Sequence, residues 1–170
     1  REVYRETTEV PFLLFFPFRL DPGVVVESRT RNVDVWPTIF DLLGLAPPAA
    51  IDGRSLVPDI LASASGKTPE GGARTAIADL DQTWSQRDAA PNHAIAVVED
   101  GFRYVRVERP GDAPPVEQLF DATNDPRELR DLEGLHDGVD LGDGLLFVAR
   151  KLPFGVLALA SEMRLVVASV

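Results

Sequence analysis

The longest unbroken apolar run near the start of the chain is Phe12-Leu13-Leu14-Phe15-Phe16, bounded by Pro11 and Pro17. Because it does not alternate with polar positions, it predicts a strand buried on both faces inside a helix-covered, largely parallel sheet. A shorter strand, Val24–Ser28, is predicted after the turn residues Asp21-Pro22-Gly23. From Asn32 to Leu45 the apolar spacing changes to three and four residues. Trp36, Ile39, Phe40 and Leu43 then form the apolar face of one short helix. Pro37 fits only the first turn, which favours Asp34 over Asn32 as the cap. Gly44 supplies a left-handed stop, and Pro47-Pro48 prevent a restart. Trp36 and Phe40 are expected to cover the Phe12–Phe16 strand.

Further along, Asp52-Gly53 reads as a turn, and Leu56, Val57, Ile60 and Leu61 as a second short helical face. Residues 62–72 shift to Ala, Ser, Gly, Lys and Pro, the composition of a surface connection. Ala76-Ile77-Ala78 predicts a short strand. Ala94–Val98 and Phe102–Val107 flank Asp100-Gly101, the pairing favoured by a two-residue type I′ hairpin turn. Glu117–Asp121 would add a third antiparallel strand, and Asn124-Asp125-Pro126 would turn the chain into a short helix over Arg127–Leu132. The first half therefore reads as an α/β unit and the second as a small antiparallel sheet with a helix.

Composition narrows the function classes. The 170 residues are 45% hydrophobic and carry 17 basic against 27 acidic side chains, net −10. Such a chain is foldable, and on average it repels a duplex or an anionic bilayer, so nucleic acid is not an expected partner. There is no cysteine, hence no disulfide, thiolate metal site or cysteine nucleophile within these residues, and the compartment stays undetermined. The longest uncharged run in the tail, Leu152–Ser161, has ten residues and holds Pro153 and Gly155, so no membrane span is expected. His136–Gly144 has the oxygen-rich look of a calcium loop, but lacks the alternating acids and closing Glu of an EF-hand and reads better as a solvated Gly-rich loop. His93 heads the hairpin, where an imbidazole donor or a group titrating near neutrality would serve a substrate pocket; a plain surface histidine is the commoner case. Trp84, alone in a polar run, would suit stacking on a sugar or aryl group, although core burial is the usual fate of a lone Trp.

Taken in order, Val10-Pro11-Phe12-Leu13-Leu14, Asn32-Val33-Asp34 with Pro37-Thr38 and Asp41-Leu42-Leu43-Gly44, and Asp52-Gly53-Arg54-Ser55-Leu56 resemble the C-terminal part of sulfatases of the alkaline phosphatase superfamily. The hairpin ending in Arg103-Tyr104, followed by Gln118-Leu119-Phe120-Asp121, Asp125-Pro126, Glu128 and Asp131-Leu132, is similar to that family's C-terminal subdomain. The resemblance implies the end of a large mixed, mainly parallel sheet covered by helices, plus a small antiparallel subdomain with a helix. It divides the chain into residues 1–61 of the main domain, a linker and surface region at 62–92, the subdomain at 93–133, and an apolar tail of open role at 134–170.

The same resemblance implies, for an intact parent, sulfuric ester hydrolysis by a formylglycine beside a divalent metal, calcium or magnesium, acting on a small-molecule or saccharide sulfate ester. The Cys/Ser-x-Pro-x-Arg motif that yields the formylglycine does not occur here, and no metal-ligand cluster is visible in the sequence. The implied sulfate-contacting Lys falls four positions before the residue matching Tyr4, ahead of Arg1, and Arg5 replaces the family's Glu after that Tyr. Tyr4, Trp84 and His93 are the candidate substrate-facing residues; no catalytic, cofactor-binding or metal residue is assigned. A phosphodiester or phosphonate hydrolase of the same superfamily, or a non-catalytic α+β binding module, are the alternatives. The nine residues before Val10 are too few to supply a flanking strand and crossover, which suggests a fragment, prone to self-association through its apolar tail or an exposed sheet edge.

Overall fold

A computed structural model describes residues 2–16, 23–70, 74–83, 88–89 and 92–132, and the backbone of 162–167. The chain divides into two compact units, Glu9–Arg74 with Ala160–Val170, and Arg1–Thr8 with Thr75–Leu159.

The first of these units holds β1 (Val10–Leu14), β2 (Val25–Arg31), a 3-10 turn (Asn32–Asp34), α2 (Val35–Leu43), α3 (Val57–Ala64) and β7 (Glu162–Val167). Its sheet runs β1-β7-β2, with β1 parallel and β2 antiparallel to the central β7. β1 and β2 are thus separated by β7. The β-rich end of the chain, to which no role had been assigned from sequence, supplies the neighbour of β1.

Two expectations for this unit fail. β1 is not buried on both faces: Phe12 and Leu14 pack with Val24 against buried Val26, Leu56 and Ile60, while Leu13 is 65% exposed and Phe15 47%. The helix α2 forms where it was predicted and ends at Gly44 with φ of 69°, the left-handed stop. It is rotated relative to the predicted face, however: Pro37, Thr38 and Leu42 are its buried residues, and Trp36 is 63% exposed. Thr38 wins that position because its hydroxyl has two buried partners, donating to the Asp34 carbonyl at 2.6 Å and accepting the Leu56 N–H at 2.9 Å. The exposed Trp36 and the half-buried Phe40 lie against each other, ring centres 6.4 Å apart. On α3, Ile60 and the preceding Leu56 are buried as expected, but Leu61 faces outward at 57%.

The other unit contains a single helical turn α1 (Arg5–Thr8) and β3 (Ala76–Asp81), β4 (His93–Glu99), β5 (Phe102–Val107) and β6 (Val116–Asp121) in a sheet ordered β3-β4-β5-β6. All its pairings are antiparallel. Asp100 and Gly101 take φ of 47° and 84°, the two positive values that a type I′ turn requires. β4 is buried across both faces. Ile95 and Val97 pack with Tyr104 and Leu119 on one side, and Ala94 and Ala96 with Val3, Val105 and Phe120 on the other.

The helix expected over Arg127–Leu132 does not form. The acidic side chains there take backbone donors in place of a helical ladder: Asp125 accepts the Arg130 N–H at 2.8 Å and Asp131 the Leu119 N–H at 3.0 Å. Leu132 then donates to the Leu119 carbonyl at 2.7 Å, and Glu128 sits at φ of 54°, outside any right-handed helix. The architecture is α+β, a mixed sheet with helices and a four-stranded antiparallel sheet. Among the described residues no helix is long and apolar enough to cross a membrane. The Gly-rich loop His136–Gly144 and the run Leu152–Ser161 lie outside the described residues.

Candidate functional site

The densest group of charged side chains lies where β2 ends and α2 begins. Asp34 occupies the cap position of α2, but its carboxylate does not cap that helix. It accepts instead from the Arg31 N–H at 3.1 Å, the Arg31 guanidinium at 3.0 Å, the Arg54 N–H at 3.0 Å and the Arg74 guanidinium at 3.0 Å. Asp59, on the buried side of α3, accepts from Arg54 at 3.1 Å and Arg74 at 3.5 Å. Both carboxylates are inaccessible, at 0% and 2%. Charges so placed persist only when paired and hydrogen-bonded. Burial lowers the Arg74 pKa from the ordinary arginine value, with Asp34 opposing that shift and Arg54 adding to it.

Gly53 makes this arrangement possible. A Cβ built on it would stand 1.9 Å from the Val33 carbonyl oxygen, so only glycine lets the loop pass. Its passage delivers the Arg54 N–H to Asp34 and the Leu56 N–H to Thr38. The Asp-Gly-Arg-Ser-Leu stretch is therefore a tie between a loop and a helix start. Ser55 completes it, donating to the Asp41 carboxylate.

The other unit has its own buried pair. Arg103 on β5 contacts Glu128 at 2.6 Å, and its guanidinium also donates to the Thr8 hydroxyl at 3.0 Å. Glu128 accepts the Arg5 N–H at 3.1 Å. Burial pushes the Glu128 carboxyl up from its ordinary value, and the Arg5 N–H and then Arg103 pull it back.

Of the three sequence candidates, Tyr4 and His93 lie among the described residues, each with partners of its own. Tyr4 is half-buried, edge-on to Phe120 at 6.2 Å, with its hydroxyl donating to Gln118, and burial raises its pKa above the ordinary tyrosine value. His93, at the start of β4, places Nδ1 3.0 Å from an Asp79 oxygen on β3. That contact orients the imidazole, as a carboxylate does for a working histidine, and equally suits a structural one. Next to it Asp81 closes the β3–β4 connection, accepting N–H bonds from Thr83 at 2.9 Å and Asn92 at 3.1 Å. Trp84 lies outside the described residues.

The sequence assigns no pairing to Asp59, Arg74, Arg103 or Glu128, although Arg103 and Glu128 stand among the marks of the resemblance. A signal existed for the first: Asp59 stands three residues after Leu56, on the same helical stripe as Ile60, an acidic residue on an apolar face. The described residues do not fit the divalent metal that the resemblance implies for an intact parent. Among the described residues no three His, Asp or Glu side chains gather to hold an ion, and the two buried aspartates face guanidiniums.

The fold and these marks define the C-terminal region of a sulfatase-type hydrolase of the alkaline phosphatase superfamily. More particularly, residues 1–143 match the family described as N-sulphoglucosamine sulphohydrolase, C-terminal, and the chain belongs to that family. Its relatives include arylsulfatase K of Xenopus laevis, 26% identical over 136 residues that make up 78% of this chain and 24% of the relative. The N-acetylglucosamine-6-O-sulfatase of Bacteroides thetaiotaomicron is 25% identical, over 79% of this chain and 23% of that protein. Mouse steryl-sulfatase is 33% identical, over 72% and 22%. A solved structure of a protein in complex with its substrate D-glucosamine-2-N,6-O-disulfate shares the fold, with a TM-score of 0.53 and 22% identity over 70% of this chain and 23% of that one. The chain thus spans about a quarter of the length of the proteins it matches.

Proposed function

We propose that this chain is the C-terminal portion of a sulfatase-like hydrolase that cleaves sulfuric esters of saccharides or other small molecules, with the reacting groups on polypeptide outside these residues. The family match over residues 1–143 carries this reading. The relatives named for glucosamine 6-O-sulfate and in complex with a glucosamine disulfate support a sulfated saccharide as the substrate class. The chain's own contribution is architectural: it ends the main sheet with β1, β2, α2 and α3, and adds the antiparallel subdomain, whose His93–Asp79 end is a candidate substrate border. Neither Asp34 nor Asp59 acts as base or ligand in this reading, because guanidiniums already engage both.

The test has two parts. The codons preceding Arg1 in the gene should encode a Cys/Ser-x-Pro-x-Arg motif, and the joined polypeptide should hydrolyse an aryl sulfate in the presence of calcium or magnesium, while pure 170-residue chain does not. Metal-dependent turnover by the chain alone would overturn the reading. A second reading, phosphodiester or phosphonate hydrolysis, is favoured by one relative, a multifunctional alkaline phosphatase superfamily protein of Trinickia caryophylli, 32% identical over 121 residues. A Thr nucleophile upstream and turnover of aryl phosphate in preference to aryl sulfate would select it.

A further inference from the structure

The segment that precedes β1 in sequence belongs to the antiparallel unit, and the chain changes units between Thr8 and Glu9. Val3, 2% exposed, packs on Ala94, Ala96, Val105 and Phe120. Arg103 lies on that same face of the sheet, two residues before Val105 on β5. Short segments of this kind are ordered only where something ties them down. Here the ties are polar and directional. Arg103 and Glu128, 2% and 3% exposed, pair at 2.6 Å. Each also holds the segment: Arg103 donates to the Thr8 hydroxyl at 3.0 Å, and Glu128 accepts the Arg5 N–H at 3.1 Å. The Tyr4 hydroxyl adds a bond to Gln118 on β6. Glu128 reaches its place from a left-handed backbone, φ of 54°, a conformation that glycine and asparagine take more readily than glutamate. An apolar pair of similar volume would hold the sheet at least as well, because burying two charges costs solvation that their attraction only roughly returns. An apolar pair does not fix register. A slip of one residue would take the Arg5 N–H from Glu128 and the Thr8 hydroxyl from Arg103 together, whereas Val3 alone tolerates it. A buried ion pair and a strained backbone directed at one segment point to a positional task.

We propose that Arg103 and Glu128 are positioning residues: a clasp on residues 3–8 that sets the register at which the upstream polypeptide joins this unit, and with it the placement of the reacting groups which that polypeptide carries. This deepens the function proposed above and rests on it. Both side chains are buried and act through the backbone they hold. The consequence for rate is large, since a misplacement of about 1 Å from a change far from the chemistry can lower a rate about a hundredfold.

The experiment uses the full polypeptide encoded by the gene, with an aryl sulfate as substrate and calcium or magnesium present. Its decisive variant is Arg103→Met/Glu128→Met, which keeps approximate side-chain volume, removes both charges together and deletes the bonds to the Thr8 hydroxyl and the Arg5 N–H. It should melt at about the temperature of the unsubstituted protein, as apolar replacements of buried ion pairs do. The kcat per folded molecule should nevertheless fall about tenfold or more, with KM moving less than about threefold. A merely structural role predicts activity that follows stability, unchanged where the melt is unchanged. Thr8→Val, which removes only the hydroxyl that Arg103 reaches, carries the same test if the double variant does not fold. Assayed well below its melting temperature, it should lose kcat about threefold or more. Hydrogen exchange on the 170-residue chain gives a readout that needs no activity: in the double variant, protection should be lost over residues 5–8 and kept over β4, β5 and β6. Unchanged kcat per folded molecule in an otherwise active polypeptide, or unchanged exchange over residues 5–8, would overturn the inference and leave the proposed function standing. No sulfate ester hydrolysis by the unsubstituted full polypeptide would overturn the proposed function, and the inference with it.

Discussion

Gly53→Ala is a one-carbon change that tests whether the Asp-Gly-Arg-Ser-Leu loop is held by close passage. The added Cβ would lie 1.9 Å from the Val33 carbonyl oxygen and 2.5 Å from its carbon, backbone atoms that cannot swing aside as a side chain does. Relief requires the loop to retreat by more than an ångström, and the two donors that follow Gly53 retreat with it. The Arg54 N–H to Asp34 carboxylate bond, 3.0 Å, is part-buried, and the Leu56 N–H to Thr38 hydroxyl bond, 2.9 Å, is buried. Overpacking costs about 1–3 kcal/mol, loss of a bond to a charged acceptor about 1.5–3, and loss of a neutral one about 0.5–1.5. Partial relaxation keeps these from adding in full, so the expected loss is about 3–5 kcal/mol, a large share of a typical domain's stability. Gly44→Ala is the matched control. Its Cβ would meet nothing within 4 Å, so only the left-handed φ of 69° penalises it, by about 1–2 kcal/mol. Urea melts followed by tryptophan fluorescence read both. If Gly53→Ala costs no more than Gly44→Ala, the close passage is not what fixes this loop.

The rotated helix α2 predicts that Phe40→Ala costs about 1–2 kcal/mol, below the 3–5 typical of a fully buried Phe, whereas Leu56→Ala costs about 2–5; the same melts decide the order, and a larger loss at Phe40 would refute the observed helix face. Asp34→Ala leaves Arg31 and Arg74 without their carboxylate and should cost about 3–5 kcal/mol, with Asp34→Asn recovering part through its amide oxygen; equal losses for the two would count against charge and hydrogen bonding as the cause. The Thr83 and then the Asn92 N–H bonds hold the Asp81 carboxyl below its ordinary value. Its folded-state pKa is therefore the lower one, so its contribution is present above the ordinary aspartate range and is lost as the pH falls below about 4. Thermal melts across that range should show a steeper acid decline in the unsubstituted chain than in Asp81→Asn, and identical profiles would refute the assignment.

Local signals were legible where local chemistry decides. The hairpin at Asp100-Gly101 forms as predicted because positive φ at both positions is a property of those two residues. The stop at Gly44 is legible for the same reason. The apolar face of α2 was misread because periodicity counts hydrophobicity, and Trp36 and Phe40 outweigh Thr38 on that scale. What buries Thr38 is a pair of hydrogen bonds, one of them to a residue 18 positions away. The Arg127–Leu132 helix failed likewise: its acids reach backbone donors, one of them 12 residues back on β6, that no local window contains. The long-range side-chain pairs, Asp34 with Arg74 and Thr8 with Arg103, are separated by 40 and 95 residues and leave no spacing to read.

Asp34, Thr38 and Gly53, which stand among the marks of the resemblance, are poorly placed to report chemistry. Asp34 accepts from two backbone N–H groups and two guanidiniums, which occupies the acceptor sites a carboxylate offers, and it has no exposed surface. Gly53 is fixed by the approach of a carbonyl oxygen and Thr38 by two buried hydrogen bonds. Each of these constraints holds a fold together and is independent of any reaction. The same constraints would serve a sulfatase and a phosphoester hydrolase built on this scaffold equally. Discrimination between a sulfate monoanion and a more highly charged phosphate rests with groups that touch an ester, and Asp34 and Thr38, fully buried and engaged within the fold, are not among them.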